Sequence, residues 1–474
     1  MIKSYFYTLL TASIFICGCE QAEITDESSS SILTVKVLAE PFTSIERNST
    51  RASEELYKTK FADGDQIGVT AIKDGKIVDG VDNVCFIYKE VTKKWEVADG
   101  SSSLYYYKEG VSYIAYYPHS ATMNGITTET GIIDNFTPKT NQSLYADYTA
   151  SDLMTGTGTL TQTGNAYTVT FQLAHRMTLL VLTPDPYANC MAPADAGYEY
   201  YPGTRIKGTI TNVKINNASA YAVEDNTYRL IVKPGTMDVP LEYTLSSSPT
   251  NFTFTALTLT AGTYRQFNLG HPALTIEREV QIGDYYYSHG KLAPGADGEE
   301  PVDKDNCIGV VFHIGPGNGD DVSKYSGTGL KDKIQGYVIA KKLYANNSTW
   351  SATNEDIETI KDKEQFVGYS NTVIMLNANC NAAKAVPKDG VPSATSGWYL
   401  GSLGQYNYLK NNIGKVFSSM QRAGLDKDLV STWTSTEYEY NIETAYNVSI
   451  RKTGVTDYKG SKQSAEGILP ILTF

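Results

Sequence analysis

The chain has 474 residues, room for roughly two to four domains of ordinary size. It carries 52 acidic against 40 basic residues, a net charge of −12, which argues against nucleic acid as a partner. Tyr is abundant, at 35 against 14 Phe and 4 Trp, and together with Thr and Val it favours strands; Tyr also suits binding loops, being rigid and amphipathic.

Residues 1–18 read as a removable leader. Lys3 supplies the positive end, and the apolar run Tyr7 to Cys17 is too short for a spanning helix. It closes on Ile16-Cys17-Gly18-Cys19, which resembles the bacterial lipobox, with Cys17 an unusual member. That resemblance implies cleavage before Cys19, acylation of its thiol and anchoring in the outer membrane, since several acyl chains hold where one is marginal. An ordinary secretory signal is the plainer reading. Residues 19–31, acidic and then Ser-rich, read as a solvated tether. Export leaves Cys85, Cys190, Cys307 and Cys380, with three possible pairings if all are bridged. Cys307 with Cys380 ranks first because both fall in one expected domain. No CxxC or Cys/His cluster points to zinc, and no metal or cofactor is expected.

Ile32 to Leu38 alternates, with Leu33, Val35 and Val37 on one face and Thr34 and Lys36 on the other, as in a half-buried strand. A polar, non-periodic stretch with Arg47 and Arg51 follows. Phe61 to Pro118 then reads as a meander: FADGDQIGV with Ile67 and Val69 on one side, a strand around Trp95, and VSYIAYYP. The order F-x-x-GD-x-IGV, Trp strand, Y-x-AYYP resembles the fimbrillin family, subunits of type V pili. The resemblance implies that the first strand is cut away after an Arg, Arg51 or else Arg47, opening a groove for a strand from another subunit. Against it stands the plain reading of an uncut loop with surface arginines.

Tyr167 to Val181 alternates over fifteen residues, longer than a typical strand, which predicts a bend or service in two sheets. His175 lies on the apolar face and reads as a hydrogen-bonded core residue rather than a ligand. The segment FQLAHRMTLLVL also resembles the fimbrillin stretch that closes a first domain. Pro184, Pro186 and Pro193 suggest a boundary. Strands resume from Arg205, and a slip in phase after Ala256 predicts a bulge. The fimbrillin resemblance implies two transthyretin-like sandwiches, expected at 32–184 and 185–272.

Residues 273–474 change in character. EVQIGDYYYSHG, a Gly/Asp/Pro-rich loop, CIGVVFHIG, GWYLGSLGQYNYL and STWTSTEYEY follow in an order that resembles the C-type-lectin-like domains related to the formylglycine-generating enzyme. That implies an α+β domain with an adhesive role; the chain as a whole is then mainly β. Ser402 and Gln405 form a capping box, Leu403, Leu409, Ile413, Phe417 and Met420 a helical stripe, and Gly424 a stop. A second helix is expected over 355–366, and a core strand near Leu472 with Pro470 at an edge or bulge. Asn318, Asp320 and Asp321 lie in an irregular loop that could take a cation but reads as a turn.

No HExxH, GxSxG or phosphate loop occurs, and no Cys follows Cys380 to serve the related oxidase chemistry, so an enzyme is not expected. The reading is a fimbrial lipoprotein precursor at the cell surface, most suitably a tip adhesin. Its partners would be other pilus subunits, a host or bacterial surface ligand with glycans among the candidates, and the outer membrane through its lipid. The alternative is an outer-membrane lipoprotein that binds glycans for nutrient uptake and never polymerises.

Overall fold

The computed structural model describes residues 31–44, 57–100, 103–107, 109–224, 226–270, 273–296, 298–330 and 332–474. Cys19, Arg47, Arg51 and the expected boundary at Pro272 lie outside the described residues. The described chain is mainly β, as expected.

The first unit is an eight-stranded sheet. Its strands are β1 (Leu33–Ala39), β3 (Gln66–Lys73), β4 (Lys76–Ile77), β5 (Val84–Lys89), β6 (Lys94–Val97), β7 (Val111–Tyr117), β8 (Met154–Thr163) and β9 (Ala166–His175), in the order β1-β9-β8-β7-β3-β5-β6 with β4 on β3. A short β2 (Thr43–Ser44) belongs elsewhere. Pairings within this sheet are antiparallel except β1 on β9, which run parallel from Leu33 opposite Tyr167 to Ala39 opposite Leu173. One face of the sheet closes over a core of Leu33, Val35, Ile67, Phe86, Trp95 and Phe171. The opposite face carries Ile72, Ile114 and Tyr116 into a second core. With both faces covered, β3 is apolar almost throughout rather than alternating. Gly68 must be Gly, because a Cβ there would meet Asn83 Oδ1 and Tyr116 Cε1 at 2.3 Å.

The long alternating segment does serve two sheets. It breaks at Arg176, and Thr178–Pro184 (β10) enters a five-stranded sheet ordered Tyr221–Ala222, Tyr228–Val232, β10, Thr263–Leu269, β2. The change of sheet therefore precedes the boundary expected at Pro184. A four-stranded sheet, 218–219, 210–215, 235–245 and 248–259, packs against it around Leu180, Leu182, Leu241 and Phe267. The expected bulge is present: Ala256 has φ +52°, its N–H donates to Asp238 Oδ1 at 2.8 Å, and the register shifts between Met237 and Val239. The Pro-rich stretch is less a linker than a strap. Tyr187–Met191 pairs with Arg205–Lys207 and Thr275–Glu277, while Glu199–Tyr200 joins Lys291–Ala293 in the next unit.

That unit has a seven-stranded sheet ordered Glu199–Tyr200, Lys291–Ala293, Tyr285–Tyr287, Cys307–Ile314, Gly336–Ala340, Ile471–Thr473, Trp398–Tyr399. A three-stranded sheet over 429–461 and helices Gly368–Asn377, Leu403–Tyr408 and Ile413–Arg422 complete one large core. The capping box at Ser402 and Gln405 is formed, the stripe from Leu403 to Met420 is buried, and Gly424 at φ +112° follows the helix end. A 3-10 turn at Leu409–Asn412 divides what the sequence suggested as one helix. The helix expected over 355–366 is absent. Its amides are taken by side chains instead: Ile357 N and Thr359 N donate to the buried Glu437 carboxylate at 2.8 and 2.9 Å, and Asn371 clamps Ile360 through both amide atoms. Those bonds replace the i−4 carbonyl as acceptor, and Glu358 takes φ +60°. Pro470 lies just ahead of the core strand Ile471–Thr473 rather than within it.

Candidate assembly site

Leu33, Val35 and Val37 point into the first core, at 4, 5 and 9 % exposure, while Thr34, Lys36 and Leu38 face out. Burying each aliphatic side chain contributes roughly 1.5–3 kcal/mol. The seat has an asymmetry that matters. One edge of β1 is bonded to β9 along its whole length. Among the described residues the other edge is fastened only at its start, where Leu33 N donates to Leu104 O at 2.8 Å and Tyr106 N to Ser31 O at 2.9 Å. Beyond that, a cleft of about 810 Å³ runs beside residues 34–39, lined on its far side by Lys58 to Phe61, Tyr88 and Trp95. Parallel pairing is also slightly weaker per residue than antiparallel. The segment is thus held chiefly by three side chains and one ladder.

The chain then crosses to the second sheet. Glu40 N donates to Leu173 O at 2.9 Å, Phe42 N to Tyr57 O at 3.3 Å, and Thr43 N to Gly262 O at 2.9 Å, after which β2 pairs parallel with Thr263 and Tyr264. Phe42 is 3 % exposed and stacks on His175, with ring centroids 3.7 Å apart. His175 is held by hydrogen bonds in the core, as expected. Its Nδ1 lies 2.7 Å from Asp152 Oδ1 and its Nε2 3.4 Å from Thr59 Oγ1, while Thr59 Oγ1 donates to Asp152 Oδ2 at 3.5 Å. The three groups lie within hydrogen-bond reach of one another in a ring under Phe42. This is the arrangement of a buried polar clasp.

Behind the ring lies a cavity of about 230 Å³ between the two sheets, lined by Tyr57, Tyr117, Tyr148, Tyr221 and Arg229 among others. Arg229 sits 4.9 Å from the centre of the Tyr57 ring. Burial pushes the Tyr148 hydroxyl above the ordinary phenol range, and it stays neutral. Phe42, Asp152 and Thr59 were missed by sequence reasoning. Phe42 left one faint signal, a single large apolar residue after Pro41 in a polar run.

The expected Cys307–Cys380 bridge is not formed; both are buried free thiols. Cys307 opens a strand of the seven-stranded sheet, with Tyr287 opposite it. Cys380 sits ahead of the short helix Asn381–Lys384, near Ser351. Burial pushes the Cys307 thiol up to about 11, and a thiol that scarcely ionises does not readily enter exchange. In the Gly/Asp loop, Asp320 turns inward and accepts from the Tyr325 and Tyr337 hydroxyls at 2.6 and 2.8 Å. Asp321 instead caps the following turn through Ser323 N, and Asn318 donates to Glu364 O. The three do not converge. Among the described residues no group of three or more His, Cys, Asp or Glu could hold a metal ion.

The described residues thus form a first sheet unit with β1 seated on one edge, a second unit joined to it through β10, and a further unit behind them. Residues 50–284 match the family model described as fimbrillin-like. A protein of Bacteroides ovatus named "Putative fimbrium tip subunit Fim1C" is 28 % identical over 510 aligned positions, covering 92 % of each chain. The crystal structure of a fimbrial protein from the same species covers 94 % of this chain and 100 % of its own, at 22 % identity and a TM-score of 0.42.

Proposed function

We propose that the chain is a fimbrial subunit of the cell surface, placed at the fibre tip, that accepts a strand from the next subunit and presents residues 273–474 for adhesion. The observation that carries this reading is the seat of β1, three alternating side chains in a core and one edge largely open to a cleft. Removing Leu33, Val35 and Val37 would leave the β9 edge unpaired and the core uncovered, a state that an added strand repairs with main-chain bonds and side-chain pockets. Lipid on Cys19 would bring the precursor to the outer membrane, and cleavage after Arg51 or Arg47 would release β1.

The tip placement has its own support. Ile471–Thr473 is paired on both edges, with Gly336–Ala340 and with Trp398–Tyr399, and its residues are fully buried. A strand so hemmed in cannot be handed to a neighbour without dismantling the sheet. A chain that accepts but does not donate through this stretch would stand at an end of the fibre, and this supports the tip reading. The further unit would be lectin-like and its ligand a surface molecule such as a glycan. Immunogold labelling with antibody to residues 273–474 tests the placement: label confined to distal ends is expected, and label along the whole shaft overturns it. Cells that carry the lipidated protein without any polymer ladder would favour the nutrient-uptake reading.

A further inference from the structure

The segment that leaves in that reading is longer than one strand. Cleavage after either arginine would take β1, the Glu40-Pro41 crossing, Phe42 and β2 together. The vacated site would then run over both sheets: the β9 edge of the first, the surface around His175, and the edge of Thr263–Leu269 in the second. In the intact chain Phe42 closes the middle of that path. It covers the His175–Asp152–Thr59 ring and joins Met177, Leu179 and Tyr264 in the core between the sheets. The cavity of about 230 Å³ already abuts Phe42, so an empty Phe42 site would open directly into it.

The geometry points to a two-sheet acceptor site whose specificity rests on an aromatic anchor. The occupant is an extended peptide strand with aliphatic side chains at three alternate positions and an aromatic ring five residues beyond the third. That spacing is the one from Leu33, Val35 and Val37 to Phe42. Glu40 and Pro41 between them are exposed, so the crossing itself asks little of the sequence. A flat ring is required at the last position because its neighbour is the flat face of an imidazole at 3.7 Å. An aliphatic residue there would leave a gap continuous with the cavity and uncover a buried polar ring. Strands lacking the aromatic would still pair with β9 but would not fasten the first sheet to the second. The inference rests on the proposed strand replacement and adds the rule by which strands are chosen.

The test uses the chain from residue 19 onward with a specific protease site placed in segment 45–56. After cleavage, a fluorescent peptide with the sequence of residues 31–44 competes for the site, read by anisotropy and native mass spectrometry. The natural peptide should exchange in, and its Phe42→Ala form should bind at least about 100-fold more weakly, the scale of deleting a buried aromatic. The Val35→Asp form, which puts a charge in the first core, should not bind. The His175 ring protons should show a ring-current shift by NMR with the natural peptide and not with Phe42→Ala. Equal binding of the natural and Phe42→Ala peptides would overturn the anchor while leaving strand replacement standing. Failure of every peptide to enter a cleaved protein that keeps its β-sheet signal would overturn strand replacement itself, and the anchor with it.

Discussion

Arg278 and Asp284 form a buried two-point ion pair, Nη1 to Oδ2 at 2.6 Å and Nη2 to Oδ1 at 2.9 Å, where the fimbrillin-like part meets the following unit. Tyr200 from the strap accepts from the same guanidinium at 2.7 Å, and Gln281 N and Gly295 N donate to the carboxylate. One cluster thereby ties the strap and the start of the third unit together. Removing the cation alone leaves a buried carboxylate uncompensated. Arg278→Met should cost about 3–5 kcal/mol by denaturant unfolding. The double variant Arg278→Met, Asp284→Leu should recover a large part of that loss.

Acid should loosen the joint between the first two units. Burial acts to raise the Glu129 pKa, but the Thr155 and Thr157 hydroxyls and the Arg176 guanidinium outweigh it and hold the carboxyl below the usual glutamate value. A depressed folded-state pKa contributes stability that is fully present above the unfolded value, about 4.3, and is lost as pH falls through the folded one. Wild-type Tm should therefore fall on going from pH 6 to pH 3. In Glu129→Gln the Tm should be lower at pH 6 and should fall less over the same range.

Processing should follow the arginines of the segment between β2 and β3, Arg47 and Arg51. Arg51→Ala should block maturation and leave the long form in the membrane fraction. If the variant is still cut, the new end should lie after Arg47, and Arg47→Ala with Arg51→Ala should abolish cleavage. Cys19→Ala should remove acyl labelling and outer-membrane fractionation from the precursor.

The thiols give a direct chemical check. Intact mass of unreduced, denatured protein after alkylation should show Cys85, Cys190, Cys307 and Cys380 all modified. Under native conditions Cys307 and Cys380, both buried, should react far more slowly than half-buried Cys85.

Much of the first two units was legible because their physics is local. The alternation of Leu33, Val35 and Val37, the double duty of the 167–181 segment and the bulge at Ala256 all follow from period two and its breaks. The capping box at Ser402 was equally plain. What was hidden depends on groups far apart in sequence. The segment 355–366 has no helix because Glu437 and Asn371 take its amides. His175 finds its acid in Asp152 across a strand turn, and Phe42 gains its meaning only once β9 bends beneath it. The Cys307–Cys380 pairing, ranked first only because both fall in one expected domain, is not formed, and both thiols are buried in the core of the third unit.

The most direct test of the account is the first residue of this subunit recovered from assembled fibres. Edman or mass-spectrometric sequencing of purified fimbriae should find Asn48 or Ala52 at the amino terminus, with no peptide from residues 33–44. Fibres in which the subunit still begins at an acylated Cys19 and retains Leu33, Val35 and Val37 would contradict it.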